Sequence, residues 1–222
     1  MVRVARRRRA DAAAGAALGV ALLLLAALAR AGSAEGVEAY WRGEFATAAA
    51  ALLPHAKEGD PLAQYLVGRM YFYGEAMPQD SAEAADWYRR SAMQGYPPAQ
   101  LAYGIALDGG WGVARDPGDA VRWYRRAAYR GEPAAMWRLA FHHRRGVGVP
   151  RDLAEAWAWF DRLAALGDRR AEVERDWLSL IGLDEAGLKL AERRSAILGG
   201  LIATARADRA QPSERDAELE AR

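Results

Sequence analysis

Residues 110–131 read GWGVARDPGDAVRWYRRAAYRG, and the recurrence of this stretch decides the fold. Shifted by 36 residues in either direction, its key positions meet their own kind. Asp80, Asp116 and Asp152 fall in register, as do Ala84, Ala120 and Ala156. Trp87, Trp123 and Trp159 follow, each with an aromatic neighbour in Tyr88, Tyr124 or Phe160, and Ala92, Ala128 and Ala164 close the series. Working outward, Gly59, Gly95, Gly131 and Gly167 keep the same spacing, and so do Ala63, Ala99, Ala135 and Ala171, and then Gly74, Gly110 and Gly146. A fixed period of this length marks a stacked repeat in which each unit buries its apolar face against its neighbours.

Each unit reads as helix, loop, helix. The first helix is expected over about residues 61–73, where small or apolar residues at 63, 67, 70, 71 and 74 form one stripe at a 3.6-residue period. The loop carries Gly74, or Gly110 with Gly112, or Gly146 with Gly148, where the chain must reverse. The second helix begins at an Asp whose carboxylate can accept from free amides of the first turn. Glu83 and Glu155 stand three residues after Asp80 and Asp152 in the capping-box arrangement, and Pro117 follows Asp116 at the first helical position. Gly95, Gly131 and Gly167 end the second helices, where a left-handed cap costs least. Regular recurrence of the Trp-Tyr pairs makes them packing residues between units rather than a ligand stripe.

Composition agrees and removes several classes of function. The 222 residues include 51 alanines and no cysteine, and only 2 of the 31 cations are lysine. Alanine-rich, aromatic-punctuated sequence argues for helices and against disorder. Without cysteine there are no disulfides, thiolate zinc sites, thiol nucleophiles or thiol-linked lipids. The net charge of +2 is unevenly distributed. Six arginines against Asp11 give residues 1–34 a charge of +5, which leaves −3 for residues 35–222. A basic, nucleic-acid-binding footprint therefore does not extend to the body of the protein.

Residues 1–34 read as an export signal. Five arginines in Met1 to Arg9 precede the apolar core Leu18 to Leu28, and small residues follow up to Ala34. Cleavage is expected after Ala34 or, second, after Ala31. The uncharged run Ala12 to Ala29 leaves an uncleaved anchor as the alternative. Either way the remainder is expected across the membrane, periplasmic or secreted if cleaved, or anchored in the inner membrane and facing the periplasm if not. Membrane contact is expected only through this segment.

The first helix carries Ala63-Gln64-Tyr65, Gly68 and Tyr71, the loops carry Gly110-Trp111-Gly112-Val113 and Gly146-Val147-Gly148-Val149, and the second helix carries Asp116, Ala120 and Trp123 to Ala128. These motifs resemble the Sel1-like repeat, a relative of the tetratricopeptide repeat, over about residues 37–172. Departures are Ala76-Met77 in the first loop, and Ala140 and His143 in the third unit. The resemblance implies an all-α, right-handed α-solenoid of helix-turn-helix, TPR-like units. The expected organisation is a signal peptide or anchor (1–34), an N-terminal half-repeat cap (35–58) and three repeats (59–94, 95–130 and 131–166). C-terminal capping helices (167–205) and a disordered tail (206–222) complete it.

Catalytic patterns are missing from the sequence. There is no His-Glu-x-x-His, Gly-x-Ser-x-Gly, Ser-x-x-Lys or Walker sequence. His142 and His143 are adjacent, hence about 100° apart on a helix, and do not form an i, i+4 metal pair. His143 falls at a packing position and His142 is expected to face outward. No metal and no cofactor is expected, and the acids Asp80 and Glu83 are read as caps. The resemblance implies a non-catalytic interaction scaffold binding a protein or peptide partner in a concave groove, in settings such as envelope signalling or exopolysaccharide secretion. A hydrolase of the β-lactamase-like type is the alternative, weakened by the lack of cysteine. The groove is expected to lie opposite the packing stripe, at Tyr65, Arg69 and Phe72; Leu101, Ile105 and Asp108; and Trp137, Phe141 and Arg144. Packing against the next unit is the competing role for each.

Overall fold

A computed structural model describes residues 33–210. Every regular element among the described residues is an α-helix. The chain is helical over residues 33–41 (α1), and then come α2 (Phe45–Glu58), α3 (Pro61–Tyr73), α4 (Ser81–Met93), α5 (Pro97–Gly109) and α6 (Pro117–Tyr129). They are followed by α7 (Pro133–Arg145), α8 (Leu153–Ala164), α9 (Arg169–Ile181) and α10 (Glu185–Ala210). The chain forms two compact units, divided between Gln79 and Asp80. The first holds α1 to α3, and the second α4 to α10. Residues 1–32 of the expected export signal, and residues 211–222 of the expected tail, lie outside the described residues. No described helix is long and apolar enough to cross a membrane.

Helix boundaries follow from local chemistry. Pro61, Pro97, Pro117 and Pro133 occupy first-turn positions, where a missing N–H costs nothing. Asp80 accepts from the amides of Ala82 and Glu83, Asp116 from that of Asp119, and Asp152 from that of Glu155. The capping box at Asp152 is one-sided. Glu155 turns its carboxylate to Trp159 Nε1 at 3.1 Å and to Arg194 at 3.4 Å. Gly95, Gly131 and Gly167 have φ of 88°, 83° and 90°. Behind Gly95, the Tyr96 amide donates to Ser91 and the Gly95 amide to Ala92, which completes a left-handed C-terminal cap.

In the second unit, α5 packs on α6 and α7 on α8, and α4, α6 and α8 reach the next first helices α5, α7 and α9. The Trp-Tyr positions are core. Trp87, Tyr88, Trp123, Tyr124, Trp159 and Phe160 are all buried. Tyr103 meets Trp123 edge-on at 5.4 Å, and Arg126 lies 4.4 Å over the outer face of the Trp123 ring. The motif glutamine has a backbone task. Gln100 Nε2 donates to the carbonyl of Ala92 at 3.2 Å, satisfying a free end of the preceding α4. Gln64 does the same for Ala56 at 3.0 Å in the first unit.

Two glycines set how closely successive loops approach. Gly112 has φ of 73°, and a Cβ there would meet the carbonyl oxygen of Ser81 at 1.9 Å. Gly148 stands in the same relation to Pro117, at 2.4 Å. Each loop therefore rests on the first turn of the second helix one repeat earlier. Ala76, at the corresponding place of the first repeat, takes up a left-handed φ of 59° with a side chain in place.

The last helix departs from the pairing rule. α10 packs along α8 and touches α6. It buries Ala191, Ser195, Leu198 and Ile202, one stripe along its length. Ser195 donates to Asp161 at 2.6 Å, and Arg194 pairs with Asp152 at 2.6 Å. Burial alone would raise the Asp161 carboxyl, but hydrogen bonds from Ser195, Arg162 and Arg175 hold it below the ordinary carboxylate value.

Candidate functional site

The nine expected groove residues are all half-buried. They divide between the two units. In the first unit, Tyr65, Arg69 and Phe72 lie on α3. The Arg69 guanidinium stands 5.4 Å from the Tyr40 ring centre, 5.6 Å from Tyr73, and 5.9 Å from both Trp41 and Tyr65. Four aromatic faces thus surround one cation within this unit. Phe72 packs edge-on against Tyr73 at 5.1 Å. Tyr40 donates to Glu75 at 3.4 Å, and burial, with a carboxylate as acceptor, pushes the Tyr40 hydroxyl up to about 12.

In the second unit, a cleft of about 1140 Å³ opens across α5, α7 and α9. Its lining includes Asp108, Trp137 and Phe141 from the expected set. Leu101 and Ile105 lie on α5 but are not part of its wall. Trp137 and Phe141, one turn apart on α7, stack with ring centres 5.5 Å apart and planes 23° from parallel. Phe160 supports both rings edge-on from α8, at 5.2 Å and 5.9 Å. Trp137 Nε1 donates to Asp168 at 2.8 Å, which orients the indole and, as the main cause, holds the Asp168 carboxyl below its ordinary value. Arg144 sits over Phe141 at 4.7 Å and pairs with Glu174 of α9, closing one side of the aromatic step.

His142 corrects the expectation that it faces outward. It is buried, with Nδ1 2.9 Å from the carbonyl of Val147 and Nε2 3.1 Å from Asp108. Asp108 belongs to the preceding first helix. The contact that turns His142 inward is therefore invisible within its own repeat. His143 is buried as expected, and neither ring nitrogen has a hydrogen-bond partner among the described residues. No group of three His, Asp or Glu side chains among the described residues is arranged to hold a metal ion.

Two groups of site residues lie beyond the expected set. The expected face ends at Arg144, yet one more shift of 36 residues carries its three columns to Val173, Trp177 and Leu180 on α9. All three are exposed, Val173 at 68%, and Val173 lines the cleft. The second group is basic. Arg115, Arg138, Arg145, Arg169 and Arg170 line the same cleft and are exposed. Arg138 lies within α7, Arg145 at its end, and Arg169 and Arg170 in the first turn of α9, at positions where the other repeats carry no arginine. Arg115 recurs as Arg151, but its place at the cleft does not follow from the register.

The Sel1 repeat family model matches residues 61–96, 97–132 and 133–168. No curated protein matches the sequence. Among solved structures, the chain is similar to a protective antigen present in uropathogenic Escherichia coli strains and displaying an SLR fold. The two are 30% identical with a TM-score of 0.67, and the match covers 79% of this chain and 38% of that one. It is also similar to a Sel1 repeat protein from Oxalobacter formigenes, at 27% identity and a TM-score of 0.65, covering 78% of this chain and 68% of that one. The chain thus spans well under half the length of the first of these relatives.

Proposed function

The chain is a Sel1-repeat protein, and from that premise we propose that it is an exported, non-catalytic scaffold holding a protein or peptide partner in the α5–α7–α9 cleft. The observation that carries this reading is the pre-built aromatic step. Trp137 and Phe141 are held in place by Phe160, Asp168 and Arg144, so a partner side chain meets a surface already ordered. Tyr, Trp and Arg dominate binding energy at protein interfaces, and the lining of this cleft includes Trp137, Phe141 and five arginines. Residue variety along the groove columns, against constancy at packing positions, is what recognition requires. The setting we propose is the cell envelope, in signalling or exopolysaccharide secretion, with residues 1–34 directing export.

Site-specific photocrosslinking from Arg138 in intact cells tests the reading. The expected result is one dominant crosslinked protein in the periplasmic fraction, with a mature chain beginning after Ala34. Phe141→Ala combined with Val173→Asp should abolish that product while the melting curve stays cooperative. If the product persists unchanged in the double variant, the cleft is not the binding surface and the reading fails.

A further inference from the structure

We propose that the α5–α7–α9 cleft selects an acidic segment of its partner, a short run of Asp and Glu flanking one large apolar side chain. This rests on the scaffold reading and names the chemistry of what is bound. The carrying observation is uncompensated positive charge around an apolar floor. Arg115, Arg138, Arg145 and Arg169 all line the cleft, and none has a carboxylate within ion-pair distance among the described residues. Arg170 alone of the five has one, Asp168 at 3.7 Å. The two acids of the wall are engaged elsewhere, Asp108 with His142 at 3.1 Å and Glu174 with Arg144. What faces a visitor is therefore cationic.

The floor explains the apolar anchor. The stacked Trp137–Phe141 pair and the 68%-exposed Val173 leave a patch that an aromatic or long aliphatic side chain would cover. Guanidinium groups at its rim can each take a carboxylate through two parallel N–H donors. A protein segment fits better than a nucleic acid. Residues 35–222 carry a net charge of −3, so the chain as a whole offers a polyanion no net attraction. A nucleic acid carries a charge on every residue, and the apolar Trp137–Phe141–Val173 floor would leave part of that run unpaired. A peptide can place carboxylates only where the arginines are.

Fluorescence anisotropy with the purified full chain and labelled twelve-residue peptides tests the inference. The probe is an alternating Glu and Asp peptide with a central Phe. Its counterparts have Gln or Lys in place of the acids, and a thymidine oligonucleotide of equal length serves as the polyanion control. The acidic peptide should bind at least about tenfold more tightly than the Gln peptide, with affinity falling as salt rises. Combining Arg138→Glu, Arg145→Glu and Arg169→Glu should remove that advantage, while Phe141→Ala with Val173→Asp should weaken all peptides. The three arginines are exposed and make no ion pair among the described residues, Arg145 alone standing over the Phe141 ring at 5.7 Å, so the charge-reversed protein should stay folded with a cooperative melting curve. Equal binding of the Gln or Lys peptide, tighter binding of the oligonucleotide, or indifference to charge reversal would overturn the proposal. If the acidic peptide fails while the crosslinked partner is still lost with Phe141 and Val173, the scaffold reading stands and only the acidic selectivity falls.

Discussion

His143 shows how one residue departs from its repeat and what that costs. Its register equivalents are Tyr71 and Leu107, yet here an imidazole is buried with both nitrogens unbonded among the described residues. Burial is the main cause that pushes it down to about 4, and the neighbouring Arg125, Arg194 and His142 push the same way, opposed by Asp152. The unfolded chain, with an ordinary histidine, binds the proton first as pH falls. Stability is thus fully present above about pH 6.5 and is lost progressively toward pH 4, by on the order of 3 kcal/mol. Melting temperatures measured between pH 7.5 and 5 should fall for the natural chain and fall less for His143→Leu. That variant should also be the more stable at pH 7, because it removes two unbonded buried nitrogens. Equal slopes for the two proteins would show that His143 does not control the acid limb. The aromatic positions are simpler. Trp123→Ala truncates a buried ring and should cost roughly 3–5 kcal/mol in urea unfolding.

At the scale of elements, the loops do more than reverse the chain. Gly112 combines a left-handed φ with a backbone contact that leaves no room for a methyl group, whereas Ala76 accepts the same region of φ with its Cβ present. Gly112→Ala should therefore destabilise by at least about 2 kcal/mol, from the strain of a non-glycine residue plus the displaced Ser81 carbonyl. Ala76→Gly should be neutral or stabilising by up to about 1 kcal/mol, since it relieves that strain at some entropic cost. Chemical denaturation of the two variants checks the pair, and similar losses in both would mean that the Ser81 approach contributes nothing. Helix starts, stops and loop glycines were legible in sequence because each depends on one or two local residues. The inward turn of His142 was not, because its partner Asp108 lies a full repeat away. Arg138, Arg145 and Arg169 escaped for a related reason: the repeat register tracks packing, and a charged rim has no packing to preserve.

For the molecule as a whole, stability in a repeat array is a sum of neighbour contacts, so it should vary along the chain. α8 buries seven residues, among them Trp159 and Phe160, and is packed by α7, α9 and α10. α9 buries only Ala171 and Leu178 and leaves Val173, Trp177, Leu180 and Ile181 exposed. Its second-helix partner has gone to α8. Native-state hydrogen exchange should accordingly find the slowest amides of the second unit in α8. Those of α9 should exchange at least about a hundredfold faster. Uniform protection across α7 to α10 would show that the unit opens only globally. The acidic-peptide probe should slow exchange in α9 more than in α8, because the cleft draws one wall from the least protected helix.

The sequence by itself determined the repeat period, the helical class, the capped boundaries, the aromatic core and three members of the cleft. All of these arise from local propensity or from periodic burial, and periodicity is written in the order of residues. Tertiary structure decided which unit each groove residue joins, how α10 abandons α9 for α8, and that His142 turns inward to Asp108. It alone gathered five arginines from loops and neighbouring helices around the Trp137–Phe141 step. Those outcomes depend on which surfaces meet across repeats. No pattern along the chain encodes a meeting between positions that do not repeat.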